Sequence, residues 1–238
     1  MSEQENYVTL PVRDGSVMQA YTAVPNQEKS SYPGIIIFQE AFGVNHHIRS
    51  LVDRFAAQGY VAIAPELFHR TAPAGFEGSY TDFTAIAPHM QGVSEQGMEA
   101  DVRAAWNWLQ EHPKVQKDKI ACIGYCMGGR ASFLANAVLP FKAAVSYYGG
   151  RIVPDLIKRV TTLHAPMLFI WGGLDKHIPH EQIEAVITEL KNAGKPHVNV
   201  EFSYADHGFF CDEKASYNEQ AATEAWALTL AFLTMKLK

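Results

Sequence analysis

The chain has 238 residues, 47% hydrophobic and 19% charged, with 25 acidic residues against 20 Lys and Arg and a net charge of −5. That balance, with no basic block, argues against nucleic acid as the main partner, and no apolar run reaches membrane-span length. Three cysteines and a polar start, MSEQENYVTL, without the basic and apolar regions of a signal peptide, point to free thiols in a reducing cytoplasm.

The length suits one α/β domain over residues 1–238, burying roughly 70–75% of the surface its unfolded chain would expose. In chain order, Tyr7–Val12 and Val17–Ala23 read as two strands turned by RDGS, since Asp-Gly supplies the positive φ a hairpin needs. After a polar connection, GIIIFQ (34–39) is a continuous β-branched run, the pattern of a strand buried on both faces. His46–Gln58 follows with Ile48, Leu51, Val52 and Phe55 at helical spacing, closed by Gly59. YVAIAP (60–65) repeats the strand pattern. Residues 66–97 are irregular, rich in Gly, Pro and aromatics, and long enough for a lid or pocket wall.

Met98–His112 carries Val102, Ala105, Trp106 and Leu109 on one helical face. KIACIGY (119–125), KAAVSYYG (142–149) and PMLFIWGG (166–173) are further buried strands. Glu181–Ala193 is helical, HVNVEFSY (197–204) alternates as a strand nearer the sheet edge would, and Ala215–Leu237 closes the chain as a long helix. Strands alternating with helices imply a mostly parallel sheet covered on both faces. No internal repeat or linker divides the chain.

The chemistry centres on GYCMGG (124–129). Gly-x-Cys-x-Gly at a strand-to-helix junction is the thiol form of a nucleophile elbow, a strained turn that tolerates only small residues two before and two after the nucleophile. Cys126 would be the nucleophile, and the backbone N–H of Met127, opening the helix, would face the developing oxyanion. In folds with such an elbow the acid and then the histidine follow in the chain. Asp175 lies just past a strand end in WGGLDKHIP, and His207 just past the next in YADHGFF. Parallel strands bring their C-terminal ends to one edge of the sheet, so Cys126, Asp175 and His207 share it. Asp206 competes with Asp175 for the acid role. Cys122, inside its strand, reads as core. Cys122 and Cys126 lack zinc-site spacing and the pair His46-His47 reads as exposed or structural, so no metal is implied. Tyr148 and Trp171 end strands on the active edge, where they either line a pocket or pack the core, and Arg70, past another strand end, is either a contact for an anionic substrate or a surface arginine.

GYCMGG, WGGLDKHIP, DHGFF and FQEAFGVN (38–45) together resemble the dienelactone hydrolase family of α/β-hydrolases, over nearly the whole chain. The resemblance implies an α/β-hydrolase fold and an ester or lactone hydrolase without cofactor, acting on a small-molecule substrate; the chain is expected as a monomer or homodimer. It implies Cys126 as nucleophile, His207 as base and Asp175 as its orienting acid. It also implies an oxyanion hole from the N–H groups of Met127 and Ala41, and a role for Glu40. A carboxylate near a thiol raises the thiol pKa; in the family mechanism this glutamate keeps the thiol protonated at rest and takes its proton when substrate binds.

Family members that act on dienelactone hold its carboxylate with two arginines. Here Cys211 stands four residues beyond His207, and FEGSYTDFTAIAPHM (76–90) has no Arg or Lys. The substrate expected is therefore a neutral ester or lactone. Close alternatives are a thioesterase or broad carboxylesterase. From another class, a non-catalytic thiol redox sensor or ligand-binding protein could use the same turn.

Overall fold

The alternating patterns of YVTLP and VMQAYTA fold as a hairpin, β1 (Tyr7–Pro11) against β2 (Val17–Ala23), in antiparallel register from Tyr7 opposite Tyr21 to Pro11 opposite Val17. The turn needs Gly15, whose φ is +87°. This is a computed structural model; it describes residues 6–27 and 29–237, so the opening MSEQE lies outside it. The chain packs as two units, Met1–Ile120 and Ala121–Lys238.

In the first unit the strand order is β1, β2, β4 (Val61–Pro65), β3 (Tyr32–Phe38). β2 meets β4 antiparallel, and β4 meets β3 parallel. The run Ile35, Ile36, Ile37, Phe38 is wholly buried, each side chain contributing roughly 1.5–3 kcal/mol of transfer free energy. Helix α1 (His46–Ala57) buries Ile48, Leu51, Val52 and Phe55. Its first turn is capped by Asn45, whose side chain accepts from the Ile48 N–H at 3.2 Å.

Residues 66–97, read as irregular, contain a helix, α2 (Phe83–Gly92). Asp82 caps it by accepting from the N–H groups of Thr84 and Ala85. The sequence hid it because only Ile86 is buried, so no apolar stripe marks it, and Pro88 sits inside it. Helix α3 (Glu95–Glu111) starts three residues before the apolar periodicity, at the Ser94 cap.

β5 (Val115–Tyr125) begins in the first unit and runs into the second. Its polar leading half, QKDK, obscured the early start. In the second unit β5, β6 (Ala143–Tyr147), β7 (Met167–Gly172) and β8 (His197–Phe202) lie in that order, all parallel. β8 ends the sheet and is half exposed, as its alternation implies. Helices α4 (Met127–Val138), α5 (His180–Asn192) and α6 (Glu219–Lys236) accompany these strands. Helix α6 starts four residues later than expected: the chain turns through 212–217, and Asn218 caps the helix at the Ala221 N–H. A π-helical turn (Ile152–Leu156) and a 3-10 helix (Ile157–Thr162), unmarked in the sequence, carry the chain from β6 towards β7. No helix among the described residues is long and apolar enough to cross a membrane.

Candidate active site

Four parallel strands of the second unit end on one edge, and each end is followed by a residue of interest: Cys126 after β5, Tyr148 after β6, Asp175 after β7 and His207 after β8. Cys126 sits at φ +55°, ψ −116°, backbone that a non-glycine residue holds only under strain. The turn is fastened where it bends: the Cys126 N–H donates to the Tyr147 carbonyl at 3.0 Å, and the Cys126 carbonyl accepts from Gly129 N–H at 2.9 Å. A Cβ at Gly124 would stand 1.8 Å from the Gly128 carbonyl oxygen. The elbow thus needs its glycine because one strand of backbone lies directly over another. The thiol is partly exposed, at the N-cap of α4.

The acid turn and the histidine loop are stitched together by backbone. Gly173 N–H donates to the Phe202 carbonyl at 2.8 Å, and Leu174 N–H to Ala205 at 2.9 Å. The two glycines of WGG permit this approach, since a Cβ on Gly172 would lie 2.6 Å from the Ala205 oxygen and one on Gly173 2.7 Å from Ser203 Cα. Asp175, its side chain 2% exposed, divides its oxygens. Oδ1 accepts from the N–H groups of His177 (2.7 Å) and Ile178 (3.2 Å). Oδ2 pairs with His207 Nδ1 at 2.7 Å. Asp206, the sequence-adjacent rival, is exposed and accepts from the His207 backbone N–H at 2.6 Å.

Burial by itself would lower the pKa of His207, but hydrogen bonds to Asp175 and to the Cys126 thiol outweigh it and push it up to about 10 from an ordinary 6.5. The second unit therefore brings Cys126, His207 and Asp175 into one connected set. Cys122 is different in kind: fully buried, contacting Ser132, with its pKa pushed up to about 12 by desolvation. Cys211 is also fully buried.

Tyr148, at φ +36° and wholly buried, sets its ring 5.0 Å from that of His207. Trp171 is 1% exposed, stacked on Phe169 at 5.7 Å and bonded through Nε1 to Asn199, the surroundings of a core residue. His177, which sequence reasoning passed over, meets His207 edge-on at 5.2 Å. Its position in a turn, two residues past Asp175, carried no periodic signal.

The first unit holds Glu40, Ala41 and Arg70. Glu40 is 1% exposed, two residues past the end of β3, and bridges to Gly43 across a tight turn. Ala41 is buried in that turn. Arg70 reaches both oxygens of Asp101, each at 2.8 Å, and its Nε donates to Asp14 Oδ2 at 2.8 Å. Its guanidinium ties α3 to the β1–β2 turn.

A family model described as "Dienelactone hydrolase family" matches residues 18–237. A Pseudomonas putida protein named carboxymethylenebutenolidase is 32% identical, over 95% of this chain and 94% of its own length. A Synechocystis protein provisionally given the same name is 34% identical over 97% and 96%. Among solved structures, a Klebsiella pneumoniae protein provisionally called a dienelactone hydrolase superposes with a TM-score of 0.87 at 32% identity, covering 96% of this chain and 97% of that one. A dienelactone hydrolase-like promiscuous phosphotriesterase from metagenomic libraries shares the fold, with a TM-score of 0.84 at 20% identity over 98% of each chain.

Proposed function

The chain belongs to the dienelactone hydrolase family and has its α/β-hydrolase fold, an ester or lactone hydrolase by kinship, and from that premise we propose that it works through a Cys126 thioester on neutral substrates. The observation that carries this reading is the hydrogen-bonded run from Asp175 Oδ2 to His207 Nδ1, with the strained Cys126 thiol on the same imidazole.

In the proposed cycle the Cys126 sulfur attacks the substrate carbonyl carbon, and the carbonyl π pair moves to oxygen. The oxyanion accepts from the N–H of Met127 and, on the family pattern, of Ala41. The C–O bond to the leaving group breaks as the carbonyl re-forms, and the imidazolium of His207 protonates the departing alkoxide, giving a thioester and an alcohol. For a lactone, the alcohol stays tethered to the acyl group. Neutral His207 then takes a proton from water, hydroxide adds to the thioester, and the thiolate leaves. Asp175 holds the ring in the tautomer with Nδ1–H and stabilises it when charged. Glu40, by the family pattern, takes the thiol proton before attack and returns it to the thiolate released in deacylation.

Preference for neutral substrates rests on two residues. Cys211, buried, stands where the family places an arginine, and Arg70 is already held by Asp101 and Asp14. A buried carboxylate without a cation costs several kcal/mol.

The test is turnover of an aryl ester by the wild type and by Cys126→Ala. Many equivalents of phenol should be released per chain by the wild type, with a loss of at least about a thousandfold in the variant, as for removal of a triad member. Release that stops at one equivalent would instead identify a thiol sensor.

A further inference from the structure

The turn after β3 is held from outside by four residues of the segment 76–80, Phe76, Glu77, Gly78 and Tyr80, that the mechanism does not otherwise use. Gly78 N–H donates to the Phe42 carbonyl at 2.9 Å. The Tyr80 hydroxyl accepts from Asn45 Nδ2 at 2.8 Å, and the same Asn45 caps α1 through its Oδ1. Glu77 pairs with Arg49 at 2.6 Å, and that guanidinium donates to the Val44 carbonyl at 2.8 Å. Phe76 presses its carbonyl onto Gly43, where a Cβ would come within 2.1 Å, and Gly43 has φ +82°. The ring of Tyr80 packs on that of Phe42 at 4.6 Å. Residues 42, 43, 44 and 45 are thus each restrained, three directly by residues 76–80 and Val44 through Arg49.

We propose that residues 76–80 are a strap that fixes the Ala41 amide for catalysis, with Gly78 and Tyr80 as positioning residues. The inference rests on the thioester reading above. β3 itself is fixed by its sheet neighbour β4, but that pairing stops before Ala41, which lies inside the turn closed by the Glu40–Gly43 bridge. The direction of its N–H depends on the turn that follows. An oxyanion donor must be placed to about half an ångström, and a short turn ending in a positive-φ glycine has other conformations within reach. Fastening the Phe42 carbonyl and the Asn45 side chain from one external segment removes them. A plain surface loop needs neither the Gly43 approach nor a tyrosine hydroxyl aimed at a helix-cap side chain.

Tyr80→Phe deletes only the hydroxyl, and Gly78→Ala places a Cβ 2.4 Å from Ile86 Cγ2 and 3.5 Å from Phe42 Cα. Loss of a whole oxyanion donor costs about 10²–10³ in kcat, so misplacing one should cost about tenfold in Tyr80→Phe and more in Gly78→Ala, with KM within about twofold. The second readout is a reversible aldehyde inhibitor, whose hemithioacetal with Cys126 puts an oxygen in the same place. Its affinity should fall by the same factor as kcat. Tyr80→Phe decides the matter, because it is too small a change to unfold the segment. If its kcat and aldehyde affinity both stay within twofold of wild type, or if KM rises while kcat holds, the strap has no positioning role. Failure of the parent reading shows separately, as turnover surviving in Cys126→Ala.

Discussion

Asp175 acts on His207 through one short hydrogen bond, and the consequence can be written as linkage. The pKa of His207 is raised from 6.5 to about 10, so the protonated ring is bound more tightly in the folded state than in the unfolded chain. That stabilisation is fully present below pH 6.5 and is lost as pH rises through about 10. Asp175→Asn removes a principal raising partner. By NMR, His207 in the variant should titrate well below its wild-type value, and the stability gap between the two proteins should narrow as the pH climbs from 6.5 towards 10. An unchanged His207 titration would mean that Asp175 is not its partner in solution. The sequence favours Asp175 over Asp206, both near a strand end; in the structure the contrast between them is sharper. It turns on burial and direction: Asp175 is held by two turn amides and faces the ring, whereas Asp206 is spent on a backbone N–H.

At the scale of elements, residues 66–97 divide their work between tying and strapping. Arg70 joins α3 to the first hairpin through Asp101 and Asp14, and residues 76–80 fasten the turn after β3. Neither function shows as a sequence pattern, because each depends on single contacts between segments far apart in the chain. Strands were legible where burial on both faces demanded continuous apolar runs, as in β3, β6 and β7. Helix α2 was not, since it buries Ile86 alone. With Arg70 engaged and Cys211 buried, a matched pair of esters differing only by a free carboxylate should show kcat/KM favouring the neutral member. A tenfold or greater preference for the carboxylated one would restore the family's narrower substrate.

For the whole molecule, the order of strands and helices was readable because each βα unit repeats one rule, apolar strand then amphipathic helix, and that rule places strand ends on a common edge. The proposed nucleophile, acid and histidine were read from that edge and the chain order. What stayed hidden is conformational: the positive φ at Tyr148, the edge-on His177, and the backbone approaches that make Gly172 and Gly173 necessary. The central claim is a covalent thioester on Cys126. It is tested most directly by acid-quenching the wild-type enzyme during turnover of an aryl ester and mapping the acyl mass by peptide mass spectrometry. The account predicts the acyl group on the peptide carrying Cys126, absent from Cys126→Ala. Acylation mapping to Cys122 or Cys211, or undiminished turnover by Cys126→Ala, would contradict it.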